Sequence, residues 1–347
     1  MAQTITALPD AFSRYRTQLD DALRAAIGDQ DHPLYDMLRY HMGWQDETGR
    51  AIDVGTGKGV RPALCLFACE AVGGSWKTAL PAAVAIELIH NFSLIHDDIQ
   101  DGDKERRHRP TVWYIWGHSH GMNAGVAMNV LANRVLAPNG SSSLPAEMAL
   151  QVSSILTSAC REMIEGQVLD LGFEQRSTVR VSDYLTMIGK KTGALLESSL
   201  HMGAVIGTDD SRFIKAMSAF GTEIGFMFQV RDDMLGIWGV QDKTGKPTGS
   251  DIHRRKKSLP IVHALETAEG SARERLLSIY RAHKPLTETD IADVISIMDE
   301  LDTAGFCSSL AKEHGELGLQ ALSEAELGPK ARAECEEMTA FLLERDY

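Results

Sequence analysis

Cysteine is scarce in this chain, with Cys65, Cys69, Cys160, Cys307 and Cys335 the whole complement of 347 residues. The number is odd, the spacing is scattered and no CxxC occurs, which argues against a disulfide framework or a zinc site. Cys65 and Cys69 stand four apart in an apolar run and read as buried core thiols. A basic excess is lacking as well: 48 acidic residues against 35 basic ones leave a formal charge of −13. That balance argues against a generic nucleic-acid binder, although it leaves room for a local basic pocket that takes an anionic substrate. No uninterrupted run of about twenty apolar residues is present, so no transmembrane helix is expected. The opening stretch MAQTITALPDAFSRYRTQ lacks the apolar centre of a signal peptide, and a cytoplasmic setting is the expectation. Strand-like alternation closed by tight turns is missing throughout.

What the chain does have is helical periodicity. Leu64 to Cys69, Ala79 to Ile95 and Ala146 to Leu171 carry apolar residues at three- and four-residue spacing. Breaks are short: Ala137 to Ser143 reads as a loop, Gln241 to Asp251 as another, and Pro285 and Pro329 punctuate the last third. There is no repeat, low-complexity tract or long linker. The expectation is one all-α domain over 1–347, with about ten or more helices at ordinary helix lengths and a bundle-like core.

Two acidic runs stand out against this background. Asp97-Asp98-Ile99-Gln100-Asp101 closes a mostly apolar helical stretch, and a four-residue spacing puts Asp97 and Asp101 on one helix face. Carboxylates so placed repel one another, and a divalent cation cancels the repulsion; hard oxygen ligands select magnesium. The spacing by itself suits a solvated helix end equally well. Asp232-Asp233 closes a second apolar stretch in the same manner, which suggests carboxylates facing each other across a cavity between helices. Cations lie nearby in sequence: Arg106 and Arg107 follow Asp101, Lys58 and Lys246 each follow a glycine, Lys191 interrupts an apolar helix, and Lys256 and Lys257 follow Asp251. Arginine forks onto phosphate oxygens, and glycine lets a backbone approach an anion. Gly57-Lys58 is not a P-loop, since the spacing and the Ser/Thr after lysine are absent. Each lysine taken singly suits a surface position as well.

Together the segments GKGVRP (57–62), HNFSLIHDDIQD (90–101), RRHRPT (106–111), EGQVLDL (165–171), KTG (191–193), GFMFQVRDD (225–233) and GKPTGSD (245–251) resemble the trans-isoprenyl diphosphate synthases, or polyprenyl synthetases, in family order over most of the chain. The likeness is greatest to geranylgeranyl diphosphate synthases. The resemblance implies an all-α isoprenoid synthase fold around a deep central cavity, a homodimer, and condensation of an allylic diphosphate with isopentenyl diphosphate. Carried over residue by residue, it implies Asp97, Asp101 and Asp232 as ligands of several magnesium ions, supported by Asp98 and Asp233. Arg106, Lys191, Lys246 and Lys256 would hold the allylic diphosphate, with Lys257 an equal candidate for the last place. Lys58, Arg61, His90 and Arg107 match the isopentenyl diphosphate pocket; Thr192 and Gln229 match residues that face the allylic cation.

Within the same resemblance, Phe92 and Ser93 match the floor that limits product length. Phe92 lies five residues before Asp97, about 7.5 Å lower along a helix, and Ser93 lies almost directly beneath that aspartate. A bulky residue at the deeper position and a small one at the nearer resemble the pattern of a C20 product, geranylgeranyl diphosphate. Phe92 as plain core is the alternative. The chain departs from the family at four places. Gly236 replaces the last aspartate of the second run, Gly59 stands where many relatives have arginine, Val126 where an aspartate is common, and Asn129 where an apolar residue is usual. Two rival functions remain at this level. One is a terpene synthase on the same fold that cyclises a prenyl diphosphate without isopentenyl diphosphate; the other is a non-catalytic subunit that tunes a partner synthase. The intact first run speaks against the latter, and the presence of Lys58, Arg61, His90 and Arg107 against the former.

Overall fold

The computed structural model describes residues 8–55, 57, 59–138, 144–239, 249–282 and 284–345. Helices dominate them. In chain order come α1 (Asp10–Ser13), α2 (Arg16–Ile27), α3 (Pro33–His41), α4 (Val60–Ala71) and α5 (Trp76–Gln100). A hairpin of two-residue strands follows, β1 (Glu105–Arg106) and β2 (Arg109–Pro110), then α6 (Val112–Trp116), α7 (His118–Leu136), α8 (Ala146–Glu174) and α9 (Val181–Ile188). A π-helical turn, Gly189–Gly193, runs into α10 (Ala194–Gly207), and α11 (Ser211–Trp238) comes next. The C-terminal part adds helices Ser250–His253, Leu259–Thr267, Gly270–Arg281, Glu288–Glu300, Thr303–Ala321 and Pro329–Glu344. These elements group into two compact units. One comprises Asp10–Cys160 with Ser198–Lys215; the other comprises Met1–Pro9, Arg161–Glu197 and Ala216–Tyr347.

In the first unit the residues between Pro62 and Cys69 are buried without a break, so α4 is a core helix with no solvent face. The row Cys65 and Cys69, four apart, lies under glycines four apart on α10. A Cβ built at Gly203 would stand 2.1 Å from the Cys65 carbonyl oxygen, and one at Gly207 2.6 Å from that of Cys69. Backbone meets backbone there, which only glycine permits. The thiols are free and buried, as expected. Helix α5 is also buried around most of its girth, including Ala82, Ala83, Ile86, Leu88 and Ile89. Among the described residues it is the one helix long and apolar enough to cross a membrane, with a mean hydropathy of 1.4 over its best window, of which 67% is buried inside the protein. Glu87, His90 and Asn91 interrupt its apolar run, and its burial is that of a core helix.

The second unit has its own apolar core around Ile237, Ile252, Ile261, Leu265, Val294 and Met298. Helix Glu288–Glu300 opens on a capping box between Thr287 and Asp290, in which each side chain satisfies the other's backbone N–H.

Two expectations need correction. The first is the absence of strands. The β1–β2 pair is antiparallel, with Arg106 opposite Arg109, and Arg107 and His108 turn the corner at φ 52° and 60°. Strands this short hold no alternation, and the turn lacks the Asn-Gly pair that usually announces it. The second is the loop over Gln241 to Asp251: its end is helical, since Ser250–His253 forms a short helix. The rest of that loop, 241–248, and most of the other, 139–143, lie outside the described residues. Pro285 does separate two helices and Pro329 opens one at its first position, where its missing N–H costs nothing.

Gly203→Ala is expected to lower the free energy of unfolding by about 3 kcal/mol, because the added methyl meets a backbone carbonyl that cannot rotate away. Urea unfolding of the purified variant measures this, and a midpoint equal to wild type would show that α4 and α10 separate freely.

Candidate active site

In the first unit, the last turn of α5 delivers Asp97 and Asp98, and Asp101 closes the helix with its N–H on the Asp97 carbonyl at 2.8 Å. Asp98 is buried, at 2% exposure. Arg106 donates to it through Nε at 2.7 Å. Burial foremost pushes the Asp98 carboxyl up to about 6; Arg106 pulls it down, while Asp97 and Asp101 push it further up. The aspartates thus carry the mutual repulsion that their spacing implies.

The hairpin β1–β2 sets three arginines beside this helix end. Arg109 reaches the carbonyls of Tyr40 and Gln45 at 3.0 and 2.9 Å and lies over the Tyr40 ring at 4.1 Å. Its partners hold the hairpin in place. Arg107 lies against the backbone of Gly57: a Cβ there would be 2.8 Å from its guanidinium nitrogen, and Gly57 has φ 113°. The glycine of the GKG segment therefore makes room for Arg107. Positive φ at two consecutive non-glycine residues costs about 1–2 kcal/mol each, a strain that presents Arg107 to the pocket. Arg106, Arg107 and Arg109, with His41 and Asp98, line a small cavity of about 50 Å³. Arg61 approaches the Nε2 of His90 at 3.5 Å. Desolvation, then the charges of Arg61, Arg107 and Arg106, hold the His90 imidazole well below its ordinary pKa, so it is neutral and accepts from Arg61. Lys58 lies outside the described residues.

Behind this pocket runs a chain that the sequence did not announce. Asn91 donates to the Glu87 carboxylate at 3.1 Å, and its carbonyl oxygen faces the Nε2 of His41 at 3.0 Å. Burial and the neighbouring arginines depress the His41 pKa to about 3. Lower on the same helix, Phe92 is buried, its ring edge-on to His96 at 4.8 Å, and Ser93 returns its hydroxyl to the His90 carbonyl at 2.7 Å.

In the second unit the π-helical turn carries the cations. Lys191 pairs with Asp170 at 2.5 Å and Lys190 with Glu165 at 2.6 Å. A Cβ at Gly166 would lie 2.3 Å from the Lys191 nitrogen, so EGQVLDL is the strip of α8 onto which the turn is laid. Thr192 donates to Gln229 at 2.7 Å, and Gln229 donates to Asp233 at 2.9 Å. Asp233 also accepts from Tyr184 at 2.5 Å and from the Leu259 N–H at 3.1 Å. Burial raises its carboxyl to about 6, against the pull of Lys256 and Tyr184. Asp233 is thus an anchor saturated by three donors. Lys257 caps the C-terminus of α8 through the carbonyls of Phe173 and Glu174 at 2.6 and 3.1 Å, a normal place for a cation. That role separates it from Lys256, whose charge acts on Asp233. Asp232 is paired with Arg345. Lys246 lies outside the described residues.

A family model described as polyprenyl synthetase matches residues 44–298. The chain belongs to the polyprenyl synthetase family. It is a prenyltransferase. It is 36% identical to a (2E,6E)-farnesyl diphosphate synthase of Mycobacterium bovis over 93% of this chain and 89% of that one, and 36% identical to a geranylgeranyl diphosphate synthase of Mycobacterium tuberculosis over 91% and 89%. Among solved structures, a polyprenyl synthetase from Streptomyces coelicolor A3(2) superimposes with a TM-score of 0.88 at 38% identity, covering 96% of this chain and 98% of that one. The all-helical fold is that of this family.

The carboxylates of this polyprenyl synthetase fit magnesium by their chemistry: the donors are hard oxygens, and at the end of α5 burial first, then the charges of Asp97 and Asp101, make Asp98 resist ionisation. As the side chains stand, no three His, Cys, Asp or Glu groups among the described residues converge on one metal position. Arg106 and Arg345 occupy Asp98 and Asp232 as built-in cations instead. The missing carboxylate at Gly236 has a physical reason. A Cβ there would be 2.5 Å from the Asp251 carboxylate oxygen. Helix Ser250–His253 is held against this turn by Gly249 N–H to the Ile237 carbonyl at 3.0 Å and by the Ser250 hydroxyl to the Gly236 carbonyl at 3.3 Å. Asp251 fills the space a residue 236 side chain would need. Sequence reasoning singled out neither Asp251 nor Tyr184, Asp170, His41 or Arg345. The GKPTGSD segment contains Asp251 and EGQVLDL contains Asp170, so those two had a signal; the others had none.

Gly236→Asp, which restores the usual motif, is expected to destabilise the protein by about 2 kcal/mol through overpacking against Asp251 and to raise no activity. Chemical unfolding alongside a turnover assay checks both, and a stable, faster variant would refute this account of Gly236.

Proposed function

We propose that this polyprenyl synthetase is a short-chain prenyl diphosphate synthase that joins an allylic diphosphate to isopentenyl diphosphate and releases geranylgeranyl diphosphate. The observation that carries the reading is the arginine-walled cavity beside the α5 carboxylates, where Arg106 and Arg107 share walls with Asp98. A cyclising enzyme has no use for a second diphosphate pocket, whereas elongation requires one. Relatives named as farnesyl, geranylgeranyl and geranylfarnesyl diphosphate synthases support a short-chain product. Buried Phe92 below Asp97, with Ser93 between, supports C20 among short-chain products. The two compact units are taken as one polyprenyl synthetase domain spanning 1–347.

In this reading Asp97, Asp101 and Asp232 hold magnesium, supported by Asp98 and Asp233. Magnesium supplies positive charge to the departing diphosphate. Arg106, Lys191, Lys246 and Lys256 bind its oxygens, Arg106 and Lys191 exchanging Asp98 and Asp170 for phosphate. Lys58, Arg61, His90 and Arg107 hold isopentenyl diphosphate. The allylic C–O bond breaks with its electron pair on the diphosphate. Thr192 and Gln229 present oxygens to the carbocation left behind. The isopentenyl double bond attacks it, a C–C bond forms, and a proton passes to the released diphosphate. Apolar walls exclude the water that would quench the cation.

The same reading makes the chain a homodimer. Met122, Val126 and Val130 repeat every four residues on α7 and are 44%, 51% and 60% exposed. Helix α7 bears no acidic residue, so it offers two copies of a chain of charge −13 a face on which they do not repel. Val126 in place of an aspartate then has a purpose. Five buried, unpaired thiols suit a reducing, cytoplasmic compartment.

Purified protein with magnesium is to be given dimethylallyl, geranyl, farnesyl or geranylgeranyl diphosphate, each with and without isopentenyl diphosphate. Longer diphosphates are expected only when isopentenyl diphosphate is present. A hydrocarbon or alcohol formed without it would identify a terpene synthase, and no turnover in any combination would favour a regulatory subunit. Asp97→Ala and Asp101→Ala should each reduce turnover by about a thousandfold or more, in the range of a lost transition-state charge contact; near-normal rates would contradict the site. Phe92→Ala should shift products above C20 on mass spectrometry, and an unchanged length distribution would assign the floor to another residue.

A further inference from the structure

Asp232 already has a cation on it. Arg345 follows helix Pro329–Glu344, and its guanidinium donates to the Asp232 carboxylate and, at 3.2 Å, to the Phe228 carbonyl. The guanidinium also lies over the Phe228 ring, 4.0 Å from its centroid. In return Arg231 donates through Nε to the Arg345 carbonyl at 2.9 Å. Residues of a single turn of α11 thus clasp residue 345 from three sides. The clasp is unequal: the Arg345 side chain is 6% exposed, whereas that of Asp232 keeps 41%. The Nε of Arg345 is buried with no hydrogen-bond partner among the described residues.

These observations describe a fastening that is strong in charge and incomplete in hydrogen bonding. A buried guanidinium needs its carboxylate, because an unpaired charge there is costly. The orphaned Nε is a donor that regains water only when the side chain leaves. Asp232, in contrast, stays open to solvent on one side and can receive another cation. A divalent ion brings twice the charge of a guanidinium to the same oxygens, so the exchange favours the metal once its concentration is sufficient.

We propose that Arg345 is a tethered counter-ion of Asp232, a positioning residue that competes with magnesium, so that metal loading and release of residue 345 are a single exchange. The proposal rests on the role given to Asp232 in the reading above. The guanidinium holds the carboxylate in place in the metal-free protein and sets the magnesium concentration at which the centre fills. A charged hydrogen bond of this kind weakens a competitor by about tenfold or more.

The test uses the full chain, magnesium chloride and inorganic diphosphate. Isothermal titration of magnesium in the presence of diphosphate is compared for wild type and Arg345→Met, whose unbranched apolar stem still covers Phe228. About tenfold tighter magnesium binding is expected in the variant, with Arg345→Lys closer to wild type. A second readout follows the wild-type residue itself: brief trypsin digestion, with mass spectrometry of the cleavage between Arg345 and Asp346. That cut should be slow in metal-free protein and faster once magnesium and diphosphate are added. Unchanged or weaker magnesium affinity in Arg345→Met, or a cleavage rate indifferent to magnesium, would overturn the counter-ion role while leaving the synthase reading intact. If neither protein binds magnesium with diphosphate, the metal role of Asp232 falls and the proposal with it.

Discussion

Negative charge held away from water governs this molecule. A carboxylate leaving water at a helix end needs a cation or several donors, or it takes up a proton. The chain meets that requirement with its own side chains. Asp98 has Arg106 and Asp170 has Lys191, while at the more open Asp232 it is the partner, Arg345, that is buried. Asp233 draws on Tyr184, Gln229 and the Leu259 N–H, with the charge of Lys256 acting on it as well. Several of the groups that would bind metal and diphosphate are therefore paired with charged side chains beforehand. Ligand binding in such a system is a change of partners, in which fixed charges are re-used rather than created, and little desolvation remains to be done when a substrate arrives.

Close backbone approach is the second constraint, and it explains several glycines whose motif membership alone says nothing about their work. Gly57 admits the Arg107 guanidinium, Gly166 admits the Lys191 backbone, and Gly236 admits Asp251. At Gly57 and Gly236 a charged group lies where a side chain would begin, and at Gly166 a stretch of backbone does. These glycines mark where two motifs touch, which is why motifs far apart in the sequence occur together.

The parts legible beforehand were those written locally. Helical periodicity, the acidic runs and the arginines after Asp101 all depend on neighbours within a few residues, and the all-helical family fold followed from them. The hairpin was not legible because Arg107 and His108 adopt positive φ without the residues that usually signal it. Lys257 stood level with Lys256 until its contacts with the end of α8 were seen. Arg345 and Tyr184 act on partners 113 and 49 residues away, and nothing local marks such residues. Gly236 looked like a loss because the side chain that fills its space, Asp251, lies in another segment.

The π-helical turn at Gly189–Gly193 has a consequence for how this chain tolerates change in length. Such a turn holds one residue more than the regular helix around it, and each α-helical residue advances about 100° around the axis. Lys191 and Thr192 lie inside the turn, so their bearings depend on that surplus residue. A one-residue deletion in this segment would straighten the helix into an ordinary one while leaving the KTG letters in place. It would also rotate Lys191 away from Asp170 and Thr192 away from Gln229 by more than a quarter turn. The segment is thus a phase-setting insertion, and a relative that lacked it would match the motif in letters and differ from it in direction.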